Sequence, residues 1–330
     1  DFNGSAASSN VTGEATATGT LANLAQGLST AIDTTTGFGT VINSDGTIQG
    51  FANTSLAATA DTTDGKSSAT ADGKAVDGAS LGDLDIGGVG TVVGSANFAA
   101  SADASNVTSG IASSVAQVES VDGLDLLNSS NGLQVASDAG IQGLADIALT
   151  AAGTSTGVAE KTTKATATAD AGELQGAVLS SLTDIGGVGS ITGQVNLTSA
   201  AEAANVIGKA DGLGQLKTAE GLDLNATLKV ASDATVVGTA SIGSSADAST
   251  TNGEATATST SDVITGADLS GGMVDIGGIS SIAGQANFDL SASSTNVSGR
   301  STAKADSADA TGLIGGKGDF GIDVASDSDL

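Results

Sequence analysis

The chain contains no proline, cysteine, histidine, tryptophan or tyrosine, and only six phenylalanines and one methionine. Each absence excludes something. Without cysteine there is no disulfide and no thiolate metal site. Without histidine, the usual proton shuttle at neutral pH and the commonest metal ligand are missing. The apolar residues are mostly alanine, and 48 of the 330 residues are glycine. Such side chains bury little area each, so a fold made from them must bring backbones close together. Positive charge is also scarce, with ten Lys and Arg against 37 Asp and Glu, a net charge of −27. That balance disfavours nucleic acid and insertion into anionic membranes, both of which call for a cationic face. It favours solubility in an exposed or high-salt setting. No run approaches the ~18 apolar residues of a membrane helix. There is no initiator Met and no charged-then-apolar leader at Asp1, so a mature or trimmed product is expected.

What is present is a repeat. The phrase DIGGVGTVVGSANF at 85–98 returns as DIGGVGSITGQVNL at 184–197 and DIGGISSIAGQANF at 275–288. An Ile/Val-x-Gly anchor, with glycines Gly50, Gly94, Gly143, Gly193, Gly238 and Gly284, recurs at spacings of 44, 49, 50, 45 and 46. Two flavours alternate. One carries a Gly-Gly pair before the anchor, and the other opens with Ser-Asp, at Ser44-Asp45, Ser137-Asp138, Ser232-Asp233 and Ser326-Asp327. The organisation is therefore a single array over 1–330, about seven half-units of about 47 residues, incomplete at both ends.

Within a unit the period is two. From Ile141 to Ala171 every second residue is small or apolar, apart from Ser155, Lys161 and Thr163. Such alternation specifies strands with one buried face. The stretch TSAAEAANVIGKADGL at 198–213 has alanine enough for a helix, but its alignment with strand-like siblings assigns it to a strand. Asn/Asp-Gly signals (NVTG, NVTSG, TTDG, TTNG) sit where hairpin turns fall. The expected fold is all-β: a tandem repeat, solenoid-like or a long hairpin or meander stack, with Ala/Gly faces inward.

Candidate sites follow from the same phrases. IGGVG has the glycines of a phosphate loop without the full motif, a following helix or a Walker lysine, and three copies suit a structural stitch better. Asp83, Asp85, Asp184 and Asp275 precede the Gly pairs and are the calcium candidates, with more carboxylates at Asp323, Asp327 and Asp329. However, GGVG is followed by Thr or Ser rather than the Asp of a calcium-binding nonapeptide, so no cofactor is expected, calcium being the one alternative. Catalysis is disfavoured because the remaining options, such as Ser–Lys pairs, do not stand out from their repeat siblings; Lys161 and Lys164 look like solvated charges. Eight Asn-x-Ser/Thr sequons occur. Three of them, Asn10, Asn106 and Asn296, share one repeat position in the predicted turn, where an attached sugar and a turn-forming asparagine are both possible readings.

In its Ala/Ser/Thr/Gly/Asp-rich repeats, acidity and lack of cysteine, the whole chain resembles repetitive bacterial extracellular fibres and surface adhesins. That resemblance implies secretion, an extracellular or cell-surface location, a β-rich shaft and a structural or adhesive role. The expected function is a structural subunit of a filament, sheath or surface fibre, with an adhesin or ligand-binding stalk, calcium-stiffened or not, as the alternative. The expected partner is another copy, joined head to tail, with cell surface or matrix as a second possibility. Strand edges at the two ends would do the joining: Asp1, Phe2 and Val11 at one end, and Phe320, Ile322, Val324 and Leu330 at the other.

Overall fold

The computed structural model describes residues 1–29, 40–157, 163–314, 322–324 and 328–329. These residues are all-β. Seven coils follow one another, each a long strand and then a short one. In coil 1 the long strand is Phe2–Leu21 with Ala25–Ser29, and the short one Thr40–Ile42; in coil 2 they are Gly46–Leu81 and Leu84–Ile86. Coil 3 has Gly90–Leu126 and Leu133–Val135, and coil 4 has Ala139–Ser155 with Lys164–Leu179, then Thr183–Ile185. Coil 5 has Gly189–Leu224 and Leu228–Val230, coil 6 has Ala234–Asp268 and Val274–Ile276, and coil 7 has Ser280–Ile314 and Ile322–Val324. The stretch at 198–213 lies within the coil 5 strand, not in a helix.

Successive coils pair in parallel, and the anchors lie on one row, Gly50 beside Gly94, then Gly143, Gly193, Gly238 and Gly284. The short strands form a second, seven-stranded parallel sheet. The result is a stack of parallel, repeated strands. This corrects the hairpin expectation. The turns exist, but every described ladder bond runs to a neighbouring coil, not back along the same unit. At the described turns of coils 1, 2, 3, 5, 6 and 7 a glycine takes a positive φ, 125° at Gly110 and 117° at Gly208, a conformation that suits a residue without Cβ. The long strand folds there into two arms that face each other through side chains. Ser259 Oγ, for example, lies 3.0 Å from Ser244 Oγ across the interior. The physical reason is economy of hydrogen bonding: pairing with both neighbouring coils uses each arm's two edges, so the arms meet face to face.

Alternation does the rest. Ala145, Ile147 and Leu149 are buried on one face, while Asp146 and Ala148 point outward. Two cores result. Between the arms the packing is mainly alanine, as at Ala96, Ala102, Ala112 and Ala116. Around the short strands it is Leu, Ile and Val, including Leu84, Ile86, Leu124 and Leu133. Two rows of glycine divide them. The anchor row meets a second row, Gly78, Gly123, Gly176, Gly221, Gly266 and Gly312; a Cβ on Gly94 would overlap the Gly123 carbonyl, and one on Gly193 the Gly221 carbonyl. Backbones touch here, which a side chain would prevent. The largest side chain in the narrow core, Phe98, fits because Gly73 leaves space for its ring.

Candidate functional site

The repeated Gly-Gly phrase forms a corner. Val89, Val188 and Ile279 donate their backbone N–H to Asp45, Asp138 and Asp233 of the preceding coil, each at 2.8 Å. The second glycine of each pair, Gly88, Gly187 or Gly278, leaves no room for a Cβ beside that carboxylate. The two flavours thus interlock: each described Ser-Asp coil accepts from the Gly-Gly coil that follows it. No helix begins at these glycines, so the helix N-terminus that completes a phosphate loop is absent among the described residues.

The calcium candidates are dispersed. Asp85, Asp184 and Asp275 lie on one outward row of the short-strand sheet, but Gln134 and Lys229 separate them. Asp83 is buried elsewhere and accepts the N–H groups of Asn131 (2.9 Å) and Gly132 (2.8 Å). Burial alone would raise its pKa, but the nearby Ser129 hydroxyl and the hydrogen bonds from Asn131 and Gly132 outweigh that and hold it below the ordinary carboxylate range. Among the described residues no group of three or more acidic side chains is placed to hold a metal ion. Asp323 and Asp329 are described by backbone alone, and Asp327 lies outside the described residues.

The turn asparagines work within the fold. Asn10, Asn205 and Asn296 donate to the carbonyls of Glu14, Lys209 and Arg300, at 3.1, 3.0 and 2.9 Å. Asn106 and Asn296 also reach the turn glycine of the preceding coil, Gly65 at 2.6 Å and Gly253 at 2.7 Å. Asn106 is buried, so a sugar on its nitrogen would displace the neighbouring coil. The turn reading therefore fits Asn106 better than the glycan reading. Lys164 lies 3.5 Å from Asp211, which Lys209 also approaches at 3.0 Å; Lys161 lies outside the described residues.

Half-buried carboxylates cluster along the second arm. Asp77 and Asp122 are neighbours on one row. Burial first, then the charges of Asp77, Asp125 and Glu173, push Asp122 up to about 7. Burial and Asp125 raise Asp77 to about 6. One coil beyond Gln175, burial, Glu220 and Asp268 raise Asp223 to about 6 against a hydrogen bond from Asn225.

A groove of about 670 Å³ lies on the first arm, crossing coils 1 to 5. One wall is formed by outward side chains three positions past the anchors, Asn53, Asn97, Asp146 and Asn196, and the same row continues beyond the groove as Ser241 and Asn287. Asn53 donates to Asp1 (2.8 Å), Asn97 to Asn53 (2.7 Å) and Asn196 to Asp146 (2.6 Å). Ala99 and Ala148 are the exposed small residues beside it. No family model, curated protein or solved structure matches this chain.

Of the predicted assembly residues, Asp1 belongs to this row, and Phe2 and Val11 are exposed at 40% and 70%. Ile322 and Val324 lie in the short strand of coil 7, paired with Val274 and Ile276, so the coil 6 side of that strand is already occupied. Phe320 and Leu330 lie outside the described residues. The asparagine row and the second glycine row were not singled out from the sequence. Aligning the repeats on the anchor would have found the first, since GFAN, GSAN, GLAD, GQVN and GQAN superimpose.

Proposed function

We propose that this chain is a structural shaft: a subunit of an extracellular filament, sheath or cell-surface fibre that extends by stacking further coils on its ends. The observation that carries this reading is the parallel register within each arm of the long strands, in which the same first-arm row runs from coil 1 to coil 7 beside a shared narrow core. Extracellular placement is supported by the acidic composition and by the resemblance to repetitive surface proteins.

The outer edge of coil 7 supports extension. Beyond coil 6, Ser280 and Ser281 pair with Ser328 and Asp329, and no other described strand covers that edge. Phe288 is 49% exposed there, against 2% for Phe98 on the same row. An unpaired strand edge is a template for another strand. Coil 1 of a second copy has the matching pattern. In the same register Phe2 meets Phe288 and Glu14 meets Arg300. Head-to-tail contacts of this kind build open filaments.

The test is negative-stain electron microscopy of the purified chain over a concentration series, beside a chain lacking residues 1–11. The intact protein should give fibres that lengthen with concentration, and the shortened one a folded, soluble monomer. Fibres of unchanged length after the deletion would rule out this mode of assembly. The rival ligand-binding role rests on a different observation, the groove on the first arm.

A further inference from the structure

We propose that the first-arm groove binds an uncharged, extended β-1,4-linked polysaccharide lying along the coil axis. The wall reads Asp1, Asn53, Asn97, Asp146: two amides between two carboxylates. Three gaps separate four groups, and each amide sends one N–H along the row. Two donors therefore cannot fill three gaps, whichever way the amides are turned. Asn53 and Asn97 donate toward Asp1, and no hydrogen bond joins Asn97 to Asp146 among the described residues. Asp146 already accepts from Asn196, and a carboxylate has no proton to give. Two acceptors thus face each other on adjacent rungs in the middle of the groove. The fold leaves a place there for a donor from outside.

The neighbouring surface narrows the identity of that donor. Beside the gap lie the exposed methyls of Ala99 and Ala148, where the flanking coils carry Ser55 and Thr198. An apolar patch next to hydrogen-bonding groups suits a pyranose ring, which has C–H faces and a hydroxyl rim. Rungs repeat every ~4.8 Å, close to the advance of one sugar in an extended β-1,4 chain, so successive sugars meet successive rungs. Hydroxyls donate and accept, and can both fill the gap and serve the amides. A peptide strand fits less well, because the groove lies on a sheet face whose backbone groups are already paired in the ladder and cannot add a strand. Anionic polymers are opposed by the net charge of −27.

The probes are cellohexaose and chitohexaose, titrated calorimetrically into the full chain. Two variants are compared. Ala148→Leu fills the apolar patch from an exposed position, and Asp146→Asn supplies the missing donor from within. Thr302→Ala, exposed on the second arm, is the control, and thermal melting is followed by circular dichroism in all. Saturable binding of at least one hexaose, weakened tenfold or more by both variants at unchanged melting and untouched in the control, is the expected result. No saturable binding to either hexaose would overturn the proposal. So would an affinity that either correctly melting variant leaves unchanged, since the row would then serve only to hold coils together. Fibre formation is read separately, so neither result bears on the assembly model.

Discussion

At the scale of single residues, the fold depends on places where a side chain is missing. The crossing of the two glycine rows is the clearest case, because the obstacle a Cβ would meet there is backbone rather than a movable side chain. Gly193→Ala should therefore destabilise by about 3 kcal/mol, at the upper end of the range for overpacking, whereas Thr198→Ala on the exposed face should change stability by less than about 0.5 kcal/mol. Urea unfolding followed by circular dichroism measures both. An alanine at 193 that costs no more than one at 198 would mean that the arms separate easily and the crossing is not a constraint. The corners depend instead on an acceptor, the aspartate carboxylate that each backbone N–H donates to. Asp138→Ala leaves the Val188 N–H without its partner and should cost about 1–2 kcal/mol, while Asp138→Asn, which keeps an oxygen in place, should cost less.

At the scale of the coil, the alternation of small and polar residues marked the strands, and the Asn-x-x-Gly phrases marked their bends. What the pattern left open was where the hydrogen bonds go. A bent strand with a turn at its centre reads the same whether its arms pair with each other or with their neighbours, since both arrangements bury every second residue. The asparagine row was hidden for a related reason. Its residues are unremarkable one at a time, and their meaning comes from stacking, which places residues about 45 apart on adjacent rungs. The acidic positions behave likewise. Asp77 and Asp122 are ordinary until register sets them side by side, half-buried. Their pKa values of about 6 and about 7, with Asp223 at about 6, set a pH dependence. Carboxyls raised above their unfolded pKa bind protons more tightly in the folded state. Their contribution to stability is thus complete below about pH 4 and lost as the pH rises through 6 to 7. The melting temperature should rise as pH falls from 8 to 5, and Asp122→Asn should flatten that rise. A melt that falls over this interval would contradict the placement of these groups. Asp83 works in the opposite direction, but only in more acidic solution, where its carboxylate would be protonated.

At the scale of the whole molecule, each coil is held by its neighbours and has little core of its own. Stability in such a stack is nearly a sum of coil and interface contributions, so protection should vary with position. One row shows the gradient directly: Phe98 in coil 3 is buried, Ile147, Leu197 and Ile242 follow it buried through coils 4 to 6, and Phe288 in coil 7 is half exposed. Amide hydrogen exchange on the dilute protein should therefore find residues 190–224 among the slowest and 283–314 among the fastest strand segments. Raising the concentration into the range where fibres form should slow exchange at 283–314 while leaving 190–224 as it was, because stacking supplies the edge that coil 7 lacks. The side chains add a second control. Arg300→Glu would place like charge opposite Glu14 of the incoming copy and should remove the slowing, and adding Glu14→Arg should restore it. If residues 283–314 are already as protected in the dilute protein as the middle coils, that edge is not open. Stacking of coil 1 on coil 7 would then have no driving force.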